Sequence, residues 1–180
     1  MTKEIINYRL KRFLEAERQR DFQSVEFTEG NFTAAFKTQR AQYKLQGITD
    51  RLDKTAQGYV LIDYKTGNVK SPVLSEKFNF EFNRTGIKKN IKSFQLIIYK
   101  YVLENSTKYN LSNAFFYKVQ DSKTIPLFKN TDKSEQDLRY NKCLEALRCI
   151  LDEINSDKPF EHFAKDKPKC EDCKYFYICR

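Results

Sequence analysis

None of the 180 residues lies in an apolar run approaching the ~20 that a membrane span needs, and no secretory apolar segment follows Met1. These absences lead to the expectation of a soluble, cytoplasmic chain with no membrane partner. Tryptophan is missing as well, so 15 Phe and 11 Tyr supply every aromatic ring. That many rings argue for a globular chain over a disordered one. No cysteine precedes Cys143, and the total of five is odd. Without a signal peptide, this argues against a disulfide framework and points the C-terminal cluster toward metal chemistry or reduced thiols. Internal repeats and low-complexity tracts are also absent.

What is present is positive charge, 33 Lys plus Arg against 24 Asp plus Glu, a formal net charge of +9. A polyanionic partner, DNA or RNA, fits that balance, and so does an ordinary Lys-rich surface. The length suits one domain, 1–180, with a cysteine-containing tail at 160–180, and is enough to bury a core.

Residues 3 to 22 read as a helix, because Leu10, Phe13 and Leu14 form an apolar stripe and "LKRFLEAERQRDF" lacks breakers. Alternation in "VEFTEGNFTAAF" and "AQYKLQGITDRLD" makes 25 to 53 extended, "KTAQG" a turn and "YVLIDYKTG" a strand. Residues 68 to 91 read as irregular. A helix starts near Lys92 with "IKSFQLIIYKYVLEN", "LSNAFFYKV" is a strand, and 133 to 156 is a long amphipathic helix. The order β-β-β-α-β-α predicts a mixed sheet flanked by helices, an α/β class.

Asp63 and Lys65 share one face of their strand, while Ile62 and Tyr64 point the other way. If the preceding hairpin is symmetric about residues 56 and 57, position 50 lies opposite 63. Asp50 then joins Asp63 and Lys65, and Asp53 faces away. Paired carboxylates suit a hard divalent cation such as Mg²⁺ or Mn²⁺, which can polarise a phosphate and activate a water. A neighbouring ammonium can orient that water or stabilise developing charge. Alone, the D-x-K pair is short and common, and a surface ion pair of little worth is the better account of it. Gln95 and Tyr99 add weight: four residues apart, they share a helical face inside an apolar run, where a Gln finds a specific partner or faces solvent.

"GITD", "IDYKTG" and "QLIIY", in this order, resemble the PD-(D/E)XK nuclease superfamily, and above all its RecB/AddB-like branch, related to the CRISPR-associated iron–sulfur exonucleases. The likeness runs from about Phe27 to the last residue. It implies a restriction-endonuclease-like fold. Asp50 and Asp63 would ligate Mg²⁺ or Mn²⁺ with the backbone carbonyl of Tyr64. Lys65 would position or activate the attacking water, Gln95 would order the site, and Tyr99 would contact the metal shell or the DNA backbone. Asp53 is not a ligand in the AddB-like pattern.

Cys170, Cys173 and Cys179 form C-x2-C-x5-C, which resembles the C-terminal triplet of a [4Fe–4S] site in that branch. Such a cluster needs four thiolates, and no upstream cysteine supplies the fourth. Cys143 and Cys149 read as buried thiols. Three explanations stand open: a chain that is a piece of a longer protein, with the fourth ligand supplied from outside it; an incomplete or zinc-substituted site using His162, the sole histidine; or a metal-free relic. The branch's upstream helix carries a His, and residues 1 to 22 have none, which agrees with a chain that begins inside the family domain.

The leading expectation is a Mg²⁺-dependent DNA nuclease, an exonuclease of recombination and repair, working with a helicase or helicase–nuclease subunit. Arg84, Lys88, Lys89 and Lys92 would meet the DNA backbone. The alternatives are a catalytically degenerate DNA-binding or scaffold domain of a helicase–nuclease complex, and a small metal-binding interaction module built on the tail.

Overall fold

In the computed structural model of the chain, residues 3–73, 80–129 and 132–157 are described. The element order is α1 (Lys3–Arg18), β1 (Ser24–Lys37), β2 (Gln42–Thr55), β3 (Gly58–Lys65), α2 (Arg84–Asn90), α3 (Gln95–Ser106), β4 (Leu111–Lys118), β5 (Lys123–Pro126) and α4 (Lys133–Ile154). The strands form one five-stranded sheet in sequence order. All neighbours are antiparallel except β3 and β4, which run parallel. A parallel pair needs a long crossover, and α2 and α3 supply it. The result is the expected mixed sheet with flanking helices, a restriction-endonuclease-like α/β fold.

One sheet face carries the core. Leu52 and Leu61 sit side by side on paired strands and are fully buried with Leu96, Ile97 and Leu103 of α3. Cys143, Leu144, Ala146 and Leu147 of α4 complete the cluster. Because α3 lies between the sheet and α4, its apolar residues surround the axis instead of forming one stripe. Cys143 is one of these packed residues, a buried thiol as expected, and burial pushes its pKa up to about 12; Cys149, expected buried as well, is only partly so. The opposite face buries Ile62, Tyr117 and Asp53. No residue of α1 is buried, and its Phe13 ring meets Tyr64 and Tyr117 edge-on, at 5.7 and 5.4 Å between centroids.

The β2–β3 hairpin has the predicted register, with Thr55 opposite Gly58. Gly58 has φ of +122°, a conformation that side chains disfavour. Thr55 Oγ1 closes the turn by donating to the Gly58 carbonyl at 2.9 Å and accepting from the Gln57 N–H at 3.2 Å.

Four features depart from the sequence expectations. The helix over 3 to 22 stops at Arg18. The stretch 25 to 53 does form the two strands that the β-β-β order requires, with Thr38 turning the chain between them: its N–H donates to the Ala41 carbonyl at 2.9 Å, and its Oγ1 accepts from the N–H groups of Arg40 and Ala41. The stretch 68 to 91 contains α2, capped by Asn83, whose side chain accepts from the Gly86 N–H at 2.8 Å, and anchored by buried Ile87. Gly86 weakens the local helix signal, so the cap and the core contact decide. The helix expected from Lys92 begins at Gln95, and β5 is an added edge strand ending in Pro126.

Candidate metal and catalytic site

The β2–β3 ladder ends at the pair Arg51–Ile62, while β3 stays paired to β4 as far as Lys65–Lys118. Beyond Arg51 the strands part, and the backbone N–H of Tyr64 donates to Asp50 Oδ2 at 2.6 Å. Asp50 thus fills the fork between the strands beside Asp63, as the hairpin symmetry required.

Asp63 is 3% exposed, an unusual burial for a carboxylate. Its Oδ1 accepts from Gln95 Nε2 at 2.9 Å, and its Oδ2 pairs with Lys65 Nζ at 2.6 Å. Lys65 Nζ also donates to Gln95 Oε1 at 2.9 Å, which closes a three-residue loop. Gln95 Nε2 gives its second proton to the Tyr99 hydroxyl at 2.8 Å. The Gln95 amide therefore uses its oxygen and both N–H groups, which leaves one orientation that satisfies every partner. The Phe116 ring lies 5.1 Å from the Lys65 ammonium and walls the site on the β4 side.

Burial raises the pKa of Asp63 above the ordinary carboxylate value. Lys65 opposes the rise, and the charge of Asp50 adds to it. A divalent cation between the two carboxylates would relieve that repulsion, and carboxylate oxygen is the hard donor that such an ion takes. Among the described residues no group of three or more Asp, Glu, His or Cys is placed to hold a metal ion, so an ion held by this pair would draw its other ligands from backbone oxygen and water.

A feature the sequence reading passed over is Gly47, at the head of "GITD". A Cβ there would lie 2.7 Å from Tyr99 Cδ1 and 3.2 Å from Val102 Cγ2. The glycine lets the Tyr99 ring and Val102 of α3 pack directly against the β2 backbone. Gly47→Ala is expected to destabilise the fold by about 1–3 kcal/mol and to impair the site, read by urea unfolding alongside DNA cleavage.

The expected DNA-facing cations lie on or just after α2. Arg84 pairs with Glu153 of α4 at 2.7 Å, and Lys92 Nζ donates to the Lys88 carbonyl at 2.7 Å. Lys88 and Lys89 are exposed. Arg84 and Lys88 therefore border the groove between α2 and α4, which also includes Cys149. Cys170, Cys173, Cys179 and His162 lie outside the described residues. None of the helices among the described residues is long and apolar enough to cross a membrane.

No curated protein matches the chain. Among solved structures, that of SSO0001 is similar with a TM-score of 0.41 and 15% identity, covering 98% of this chain and 67% of that one, too low a score to bear on the fold. The sequence profile of the PD-(D/E)XK nuclease superfamily matches residues 1–180. With the mixed sheet and the carboxylate pair at the fork of β2 and β3 already in view, that match over the whole length decides the matter: the chain belongs to the PD-(D/E)XK nuclease superfamily.

Proposed function

We propose that the chain is a divalent-metal-dependent deoxyribonuclease of the RecB/AddB-like type, an exonuclease that hydrolyses phosphodiester bonds in recombination and repair. The observation that carries this reading is the convergence of Asp50, Asp63 and Lys65 at the fork, tied together by Gln95. Asp50, Asp63 and the Tyr64 carbonyl would hold Mg²⁺ or Mn²⁺, which when bound supplies a Lewis acid for the phosphate and a lowered pKa for water. Gln95 keeps the Asp63 carboxylate and the Lys65 ammonium in one fixed relation. Lys65 holds its proton toward the carboxylate, where it can orient an attacking water and meet the charge that grows on phosphate oxygens. Tyr99 serves by fixing Gln95.

The test is cleavage of end-labelled linear DNA with Mg²⁺ or Mn²⁺, comparing the chain with Lys65→Ala and Asp63→Asn. Equal inertness of all three would sink the nuclease reading in favour of a degenerate scaffold domain of a helicase–nuclease complex. For the tail, a [4Fe–4S] cluster predicts iron and brown absorbance in anaerobically purified protein, whereas zinc alone would assign the cysteines to a zinc site.

DNA binding should weaken steeply with salt, because Lys and Arg on phosphates release counterions. Fluorescence anisotropy with a labelled oligonucleotide at ~50 and ~200 mM salt is expected to show at least a tenfold loss. A flat response would remove Lys88, Lys89 and Lys92 from a phosphate-tracking role.

A further inference from the structure

On the sheet face opposite Asp63, four charged side chains close a ring. Glu17 of α1 pairs with Arg20 Nε at 2.9 Å and accepts from Arg51 Nη1 at 2.8 Å. Asp53 accepts Arg51 Nε at 2.6 Å, and its other oxygen pairs with Arg20 Nη2. Two acids and two guanidiniums make the ring electroneutral. It is also shielded: the Asp53 side chain is fully buried, and the other three are 12–19% exposed. The Phe22 ring lies against both guanidiniums, at 5.2 and 4.9 Å from its centroid.

This ring reaches the front of the sheet through one residue. Arg51 is the last member of the β2–β3 ladder before the strands part, and it directly follows Asp50. Its Nη1 also donates to the Tyr64 hydroxyl at 3.2 Å. Tyr64 stands between Asp63 and Lys65, and its own N–H holds Asp50. The fork between Asp50 and Asp63 is thus closed by ladder bonds on one side only. Past that point, two grips on Tyr64 define its width: the Asp50 carboxylate on the backbone and Arg51 on the phenol. Arg51 cannot swing away, because Glu17 and Asp53 hold its guanidinium from two directions.

We propose that Arg51, braced by Glu17 and Asp53, is a positioning residue that sets the separation of the Asp50 and Asp63 carboxylates by gripping Tyr64 from behind the sheet. The inference rests on the reading of those carboxylates as a divalent-metal site. Lysine at position 51 keeps the charge but loses the planar fork that serves Asp53, Glu17 and Tyr64 together. Phenylalanine at position 64 removes a single hydroxyl and leaves the ring intact.

The test is calorimetric titration of Mn²⁺ into metal-free protein, paired with thermal unfolding without metal, for the wild type, Arg51→Lys, Tyr64→Phe and the core control Leu144→Ala. Arg51→Lys should weaken Mn²⁺ about 10–100-fold, the usual cost of losing support behind a metal ligand, and Tyr64→Phe about threefold or more. Leu144→Ala should melt earlier with an unchanged Kd, which separates positioning from plain stability. If Arg51→Lys does not fold, Tyr64→Phe decides. Variants that bind Mn²⁺ within about twofold of a wild type that does bind it would overturn the positioning role. A wild type that binds none would overturn the metal-site reading and this inference with it.

Discussion

Asp63→Asn and Lys65→Ala are each expected to lower DNA cleavage by about 10²–10⁴-fold, the range for removing a charged group that acts on a transition state. The first substitution carries a second expectation that separates chemistry from folding. Burial holds the pKa of Asp63 above its ordinary value, and Asp50 pushes it the same way against the pull of Lys65. An acid whose folded pKa is raised keeps its proton better in the folded chain. Its stabilising effect is therefore complete below the unfolded pKa and is lost as pH rises through the raised folded pKa. Above that raised pKa and without metal, the ionised Asp63 costs stability. Asparagine keeps an oxygen for the Gln95 N–H at the same place and carries no charge. Asp63→Asn should thus raise the melting temperature of the metal-free protein, by about 2–4 °C for each kcal/mol recovered, while cleavage is lost. Calorimetry in chelator measures the first effect and a gel assay the second. A fall in melting temperature would mean that the Lys65 pair outweighs the burial of the carboxylate.

Asp53→Ala is expected to have the largest effect on stability, about 3–5 kcal/mol, because it strips two guanidiniums of a fully buried partner. Burial opposes the Arg51 charge, yet the hydrogen bonds and charges of Asp53 and Tyr64 outweigh it and leave Arg51 more firmly protonated than an ordinary arginine. The variant therefore cannot escape by losing a proton. The helix α1 has no buried residue of its own, and the ring and the Phe13 contacts help to tie it to the sheet. Urea unfolding gives the number, with Arg84→Ala as the comparison. The Arg84–Glu153 pair is 40% and 44% exposed, and its loss should cost no more than about 1 kcal/mol. A similar small cost for both variants would show that the ring contributes as little as a surface pair.

The candidate site was legible in the sequence because its main elements are local. The turn at residues 56 and 57 sets the hairpin register, and the two-residue period of a strand then aligns Asp50 with Asp63 and turns Asp53 away. Helical spacing puts Gln95 and Tyr99 on one face, and they do bond to each other. The same local reasoning misses α2 and β5. α2 depends on the Asn83 cap and the burial of Ile87, and β5 on the pairing of Lys123–Pro126 with β4. Neither segment carries a strong period of its own.

Sequence alone determined the main strands and helices, the facing of the acidic residues and the family pattern, because each follows from near-neighbour geometry and residue chemistry. Only the tertiary structure decided that Gln95 links Asp63 to Lys65, residues 30 and 32 positions away, and that Glu17 reaches Arg51 across 34. It also decided that Gly47 must make room for Tyr99. Those contacts depend on how α1 and α3 lie on the two faces of the sheet. That placement is set by the summed burial of many side chains, and no short stretch of sequence records it.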